Sequence, residues 1–357
     1  ILVNAIAPGP FPSDMLGSAV AHNYEGIISR NPVHRMGRAE DVGGLALYLS
    51  SRNNYDMIEN VFLENVDLEG YKLYNIDDHS EPDEVKKGME ICERNNITFI
   101  KNKDRGLQWA AKTMIDYLDE NDEDVDFIVW CTHDTFPLTK NFFSKFDKLV
   151  SSEQLNEFGM IGFNIFGPQC GVGSPSDFTN ECGILGRAPI SKLSGRGGWF
   201  RVPDMKLSWD VWGEPCLVDA PVDMLLAMNV KLFKEHIEVS NNYHLFCAHD
   251  DIALQFLYQN ICNVTLPDFR VWHNQHLKEI VDIPVKSASA AKKGDSKHFG
   301  DYGPHLEFWK DRWGFTRDDR SELEDIKENY AGTLIYDLYH HDYSNGPLKQ
   351  FKIKLDL

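Results

Sequence analysis

The chain has 357 residues, 42% hydrophobic and 12% aromatic, with a formal net charge of −19, enough for one large α/β domain with decoration or two smaller ones. That acidity argues against nucleic acid as partner, because phosphate backbones need a basic surface, and against tight electrostatic binding to anionic lipid. No apolar run approaches the roughly 20 residues that span a bilayer, and the seven scattered cysteines contain no Cys-x-x-Cys pair, so no transmembrane segment, disulfide framework or zinc ribbon is expected and a reducing, cytoplasmic setting fits.

The chain opens on Ile1-Leu-Val-Asn-Ala-Ile-Ala7 followed by Pro8-Gly9, an apolar run ending in turn chemistry. It has no basic leader, so no signal peptide is expected. Residues 1–54 hold four Arg, four acidic residues and no Lys, so the whole negative charge lies beyond them. VNAIAPGPFPSDM and NPVHRMGRAEDVGGLALYLSS resemble the C-terminal third of short-chain dehydrogenases. The resemblance implies a late strand, a loop and a helix over residues 39–51. An NAD(P)-dependent oxidoreductase also needs a glycine-rich cofactor turn and a Tyr-x-x-x-Lys pair, and neither accompanies the fragment. Residues 1–52 are therefore read as a non-catalytic segment.

Beyond the seam, helix and strand alternate. Tyr55 to Val66 reads as a helix, with Met57, Ile58, Phe62 and Val66 at helical spacing. Tyr71 to Ile76 is a strand, Glu84 to Asn95 a helix, Ile97 to Lys101 a strand and Leu107 to Leu118 a helix. The acidic run Asp119 to Asp124 is a solvated turn. Val125 to Cys131 is a continuous apolar strand of the kind found inside parallel sheets. This order predicts an α/β fold with a mostly parallel, doubly wound sheet, whose ligands bind beyond the carboxyl ends of the strands.

Polar clusters stand at those ends: Asp77-Asp78, then Asn102-Lys-Asp-Arg105-Gly106, then Thr132-His133-Asp134-Thr135. Any one of them could be a turn or a helix cap; three in succession point to ligand binding. YKLYNIDDHS, NKDRGLQWAAKTMI, FIVWCTHDTFPL, CLVDAPVDMLLAMNVKLF and HDDIALQFLYQNICNVTLPDFRVWH resemble, in order, segments of the family 2 glycosyltransferases of GT-A fold. Phe308-Trp-Lys-Asp-Arg-Trp-Gly314 resembles a Trp-Gly signature that often follows the catalytic domain. The resemblance covers about residues 55–320, giving a catalytic domain over 53–320 and a C-terminal extension over 321–357.

The resemblance implies a metal-dependent, inverting transfer of a sugar from a nucleotide diphosphate, a UDP-sugar first among them, to a saccharide or glycoconjugate acceptor in surface polysaccharide synthesis. It places Asp77, Asp78, Arg105, His133 and Asp219 at the nucleotide sugar, and Asp134 with His273 at a divalent Mn²⁺ or Mg²⁺. Asp134 matches the second Asp of the family's Asp-x-Asp, whereas Thr132 stands in place of the first. Inverting transfer needs a base for the acceptor hydroxyl and charge stabilisation for the departing diphosphate. Asp251 is the expected base and Asp250 its rival. Trp199, Trp209 and Trp212 either stack on acceptor sugars or pack under a loop, and residues 283–300 have loop composition suited to a lid. A sugar-nucleotide-binding protein without catalysis is the remaining alternative.

Overall fold

The computed structural model describes residues 44–167 except 69, 122 and 124, then 183–190, 199–201, 215–243, 247–273, 302–317, 322–323 and 327–340. The chain divides into two compact units at Gly44/Leu45. The second unit holds every described strand and helix. The expected strand at Ile1–Ala7, most of the dehydrogenase-like segment, Trp209, Trp212 and residues 283–300 lie outside the described residues, as does the side chain of Trp199.

The first strand, β1 (Leu45–Ser51), corrects the expected helix over residues 39–51. Its side chains show why. Leu45, Leu47 and Leu49 enter one apolar cluster, whereas Ala46 and Tyr48 enter another on the opposite face. That alternation is the period of a strand buried on both sides. β1 lies in parallel between β2 (Leu73–Asp77) and β4 (Phe127–Cys131). The slot between β2 and β4 is therefore occupied by Leu45–Ser51.

Helix and strand then alternate as the sequence predicts. The helix after β1 has a π-helical centre, α1 (Ile58–Leu63), followed by α2 (Pro82–Arg94), β3 (Thr98–Lys101) and α3 (Leu107–Glu120). After β4 come β5 (Thr135–Pro137), α4 (Phe142–Ser151), β6 (Phe158–Phe166), β7 (Ile184–Arg187), β8 (Trp199–Arg201) and β9 (Cys216–Leu217). The rest is β10 (Leu225–Asn229), α5 (Val230–His236), α6 (Ala248–Tyr258), β11 (Cys262–His273), α7 (Tyr302–Trp313) and α8 (Leu334–His340).

The sheet runs β3-β2-β1-β4-β10-β6-β11-β5. Following the pairings along this path, β3, β2, β1, β4, β6 and β11 point one way, while β10 and β5 run against them. The sheet is thus mixed but mostly parallel, in an α/β fold as expected. One face packs on α1, α2 and α4 through Phe62, Ile91, Phe143 and Phe146. The other packs on α3 and α6 through Met114, Ile115, Ile252 and Phe256. A further cluster joins α6, α7 and α8 through Leu254, Trp309 and Leu338. Among the described residues no helix is long and apolar enough to cross a membrane.

Candidate functional site

The carboxyl ends of the parallel strands gather the residues singled out in the sequence. Asp77 ends β2 and Asp78 follows it. Both are buried, and each is held by a defined donor. The Tyr55 hydroxyl donates to Asp77 Oδ1 at 2.5 Å. Asp78 Oδ1 accepts from Asn102 Nδ2 at 2.9 Å and from the Gly106 amide at 2.7 Å. Gly106 has φ +109°, a conformation that L side chains rarely adopt, and it opens α3 with its N–H turned to Asp78. The Thr113 hydroxyl donates to Asn102 Oδ1 at 2.8 Å and locks the loop from the helix side.

Half-buried Arg105 lies in this turn. Burial lowers its pKa first and the charge of Arg52 lowers it further, against the pull of Asp78. Two guanidinium groups therefore share this corner, a setting that favours an anion. Sequence reading missed Arg52 because it was assigned to the segment before the seam. It also missed Tyr55, whose role depends on a partner 22 residues away.

The next strand end carries Thr132, His133 and Asp134. The pairing of Thr135 with His273 across β5 and β11 brings the two expected metal ligands together. Asp134 Oδ2 lies 3.3 Å from His273 Nε2, and about a quarter of the Asp134 side chain remains exposed. Burial pushes the Asp134 pKa up, but His273, His133 and Thr132 together hold the carboxyl well below its usual range. Burial lowers His133, against Asp134, and its Nδ1 is buried without a hydrogen-bond partner among the described residues. Thr132 does not substitute for a carboxylate: its hydroxyl lies 2.6 Å from the Thr135 hydroxyl and 3.3 Å from the Met224 carbonyl.

Among the described residues no three His, Cys, Asp or Glu converge as a metal cluster. Asp134 and His273 would supply one oxygen and one imidazole nitrogen. Such a donor set fits Mn²⁺ or Mg²⁺ when the remaining positions are taken by phosphate oxygens and water.

The acidic pair at the start of α6 has a different setting from the one expected. Asp251 is fully buried, and both its oxygens are engaged. Trp313 Nε1 donates to Oδ1 at 2.8 Å, while Gln108 Nε2 and Gln255 Nε2 each donate to Oδ2 at 2.9 Å. Arg312 Nε lies 3.4 Å from Oδ1. Burial pushes the Asp251 carboxyl up, against these partners. A base must present an oxygen to its substrate, and in this arrangement Asp251 instead ties α3, α6 and α7 together. The Trp-Gly signature thus serves an anchoring purpose, because Trp313 is its second tryptophan.

Asp250, equally buried, accepts from Arg317 Nε at 2.5 Å and faces Arg187 Nε at 3.6 Å. Burial raises its pKa, but Arg187 and His249 hold the net value down. Asp219, expected at the nucleotide sugar, is also fully buried. It accepts from the Ile190 amide at 2.7 Å, so one of its oxygens is engaged in the interior.

No family model matches the sequence, and no curated protein matches it. Solved structures similar to this chain include GalNAc-T7 with UDP, GalNAc and Mn²⁺, at 14% identity and a TM-score of 0.48, covering 90% of this chain and 64% of that one. The mannosyltransferase PcManGT from Pyrobaculum calidifontis, in complex with GDP-Man and Mn²⁺, has 12% identity and a TM-score of 0.46 over 80% of this chain and 69% of its own. TarS of S. aureus has 11% identity and a TM-score of 0.39 over 79% and 45%. The chain thus spans less than two thirds of the length of the first of these.

Proposed function

We propose that the unit beginning at Leu45 is a metal-dependent glycosyltransferase of GT-A type. It would move a sugar, with inversion, from a nucleotide diphosphate to an acceptor hydroxyl in polysaccharide or glycoconjugate synthesis. The observation that carries this reading is the Asp134–His273 contact at 3.3 Å, set at the sheet edge that also holds Asp77, Asp78 and Arg105. A nucleotide diphosphate has a base and ribose that need acceptors, and phosphates that need cations. The strand ends offer these in that order: carboxylates after β2 with Arg52 after β1 and Arg105 after β3, then a cation-binding pair from the residues after β4 and the end of β11. A bound metal would neutralise the leaving diphosphate as a Lewis acid. Asp134 and His273 would hold it, with half-buried His133 beside them.

The test is a calorimetric titration of UDP and GDP, with Mn²⁺ and with chelator, on the parent and on Asp134→Asn. Binding that needs Mn²⁺ and weakens at least tenfold in the variant is expected. Equal affinities with metal and chelator would overturn the metal role. The tie of Thr132 to Thr135 and Met224 favours a second reading, binding without turnover. Nucleotide diphosphate release from UDP- or GDP-sugars with Mn²⁺ separates the two, and the anomeric configuration of the product decides inversion.

A further inference from the structure

β10 runs antiparallel to β4, with Leu225 opposite Cys131. The residues that precede β10 therefore emerge at the same edge as the residues that follow β4. The Thr132 amide donates to the Met224 carbonyl at 2.9 Å, so the turns carrying Asp223 and Asp134 leave the sheet side by side. Behind Asp223 stands His249, almost wholly buried at the start of α6. Its Nδ1 is 3.3 Å from Asp223 Oδ2 and its Nε2 is 3.0 Å from Asp250 Oδ1. Neither ring nitrogen makes an aligned hydrogen bond, so both are close charge contacts. Asp250 is in turn fixed by Arg317 and faces Arg187.

Resting on the transferase reading above, we infer that Asp223, oriented by His249, is the carboxylate that takes the proton from the acceptor hydroxyl. Of the acidic residues at this edge, Asp77 and Asp78 are buried and engaged, Asp104 follows the outermost strand β3, four places from β10, and Asp250 and Asp251 have no exposed side-chain surface. Asp134 is assigned to the metal. Asp223 keeps about a quarter of its side chain exposed, so an acceptor can reach it. In the step, the acceptor oxygen forms its bond to the anomeric carbon and its proton passes to Asp223. The bond from that carbon to the phosphate oxygen breaks, and the electron pair leaves with the diphosphate.

His249 is a positioning residue, fixed between Asp223 and Asp250. Burial lowers its pKa and Arg187 adds to this, but the two carboxylates together outweigh them and the net shift is upward. Held between the two carboxylates, the imidazole keeps the Asp223 side chain aimed at the edge.

The experiment measures nucleotide diphosphate release from UDP- and GDP-sugars with Mn²⁺, using water and simple alcohols as acceptors, alongside calorimetric binding of UDP and GDP. Asp223→Asn is expected to bind the nucleotide within about threefold of the parent and to lose roughly 10²–10⁴-fold in release, the usual size of a base effect. Asp223→Glu is expected to recover part of that loss, and His249→Gln to lower kcat with KM for the donor unchanged. If the parent releases diphosphate and Asp223→Asn does so at the parent rate, the base assignment falls while the transferase reading stands. If Asp223→Asn loses nucleotide binding as much as release, Asp223 is a donor contact and the inference is overturned. If the parent releases nothing from any donor, both fall together.

Discussion

Asp251→Asn separates an anchor from a base. The wild-type carboxylate accepts three hydrogen bonds, one from Trp313 on Oδ1 and two from Gln108 and Gln255 on Oδ2. Asparagine keeps the volume but has a single carbonyl oxygen, and its amide nitrogen must face a donor. If the carbonyl turns to the glutamines, the Trp313 indole loses its acceptor. A buried donor left unsatisfied costs about 1–3 kcal/mol. If it turns to Trp313, two donors are left, and the cost is about twice that. The smaller loss decides, and relief of the burial that pushes the Asp251 pKa up offsets part of it. A net destabilisation of about 1–3 kcal/mol is therefore expected, read in urea as a lower midpoint with an unchanged slope. A variant that unfolds at the parent midpoint yet has lost roughly 10²-fold or more in transfer would refute this reasoning and return Asp251 to the role of base.

Leu47→Ala tests the central strand. Leu47 is fully buried in β1, so truncation is expected to cost about 2–5 kcal/mol, measured by the same unfolding. His249→Gln tests the ion contacts by pH. The raised pKa of His249 means that its contribution is complete below the unfolded value near pH ~6.5 and is lost as pH rises through the folded value. The stability gap between parent and variant is expected to be wider at about pH 6 than at about pH 9, with Asp223, Asp250 and Arg187 as the facing groups. A gap that does not change with pH would remove the charge contact from the account.

The alternation of helix and strand from Tyr71 to Cys131 was legible because each element has its own period and its own breakers. β1 was not. Leu45-Ala-Leu-Tyr-Leu49 is apolar at every position, so its period is visible only when the two faces it fills are known. The likeness to a dehydrogenase helix favoured the other reading. Burial decided it: a strand between two parallel neighbours needs apolar side chains on both faces, and this run supplies them. The setting of Asp251 was hidden for a related reason. An acidic residue at a helix start looks available in sequence, and only the tertiary approach of Gln108 and Trp313 fills its oxygens.

Strand direction explains the difference between the site residues expected from sequence and the one proposed from the fold. A forward reading of the chain gives weight to the residues just after each strand. That rule gave weight to Asp77-Asp78, Arg105 and Asp134, which stand at the ends of β2, β3 and β4, strands that point the same way. It fails for β10, which runs the other way, so the residues at the ligand edge come before it. Asp219, given weight by the family resemblance, lies further back, where its carboxylate accepts from the Ile190 amide. Asp223 lies two residues before β10, where the chain is still turning at the edge. The same reversal sets His249 behind it, because α6 begins on the side from which Asp223 enters the sheet. A carboxylate before an antiparallel strand and an imidazole opening a helix carry no joint signal in sequence. They meet because one strand of the sheet is inverted.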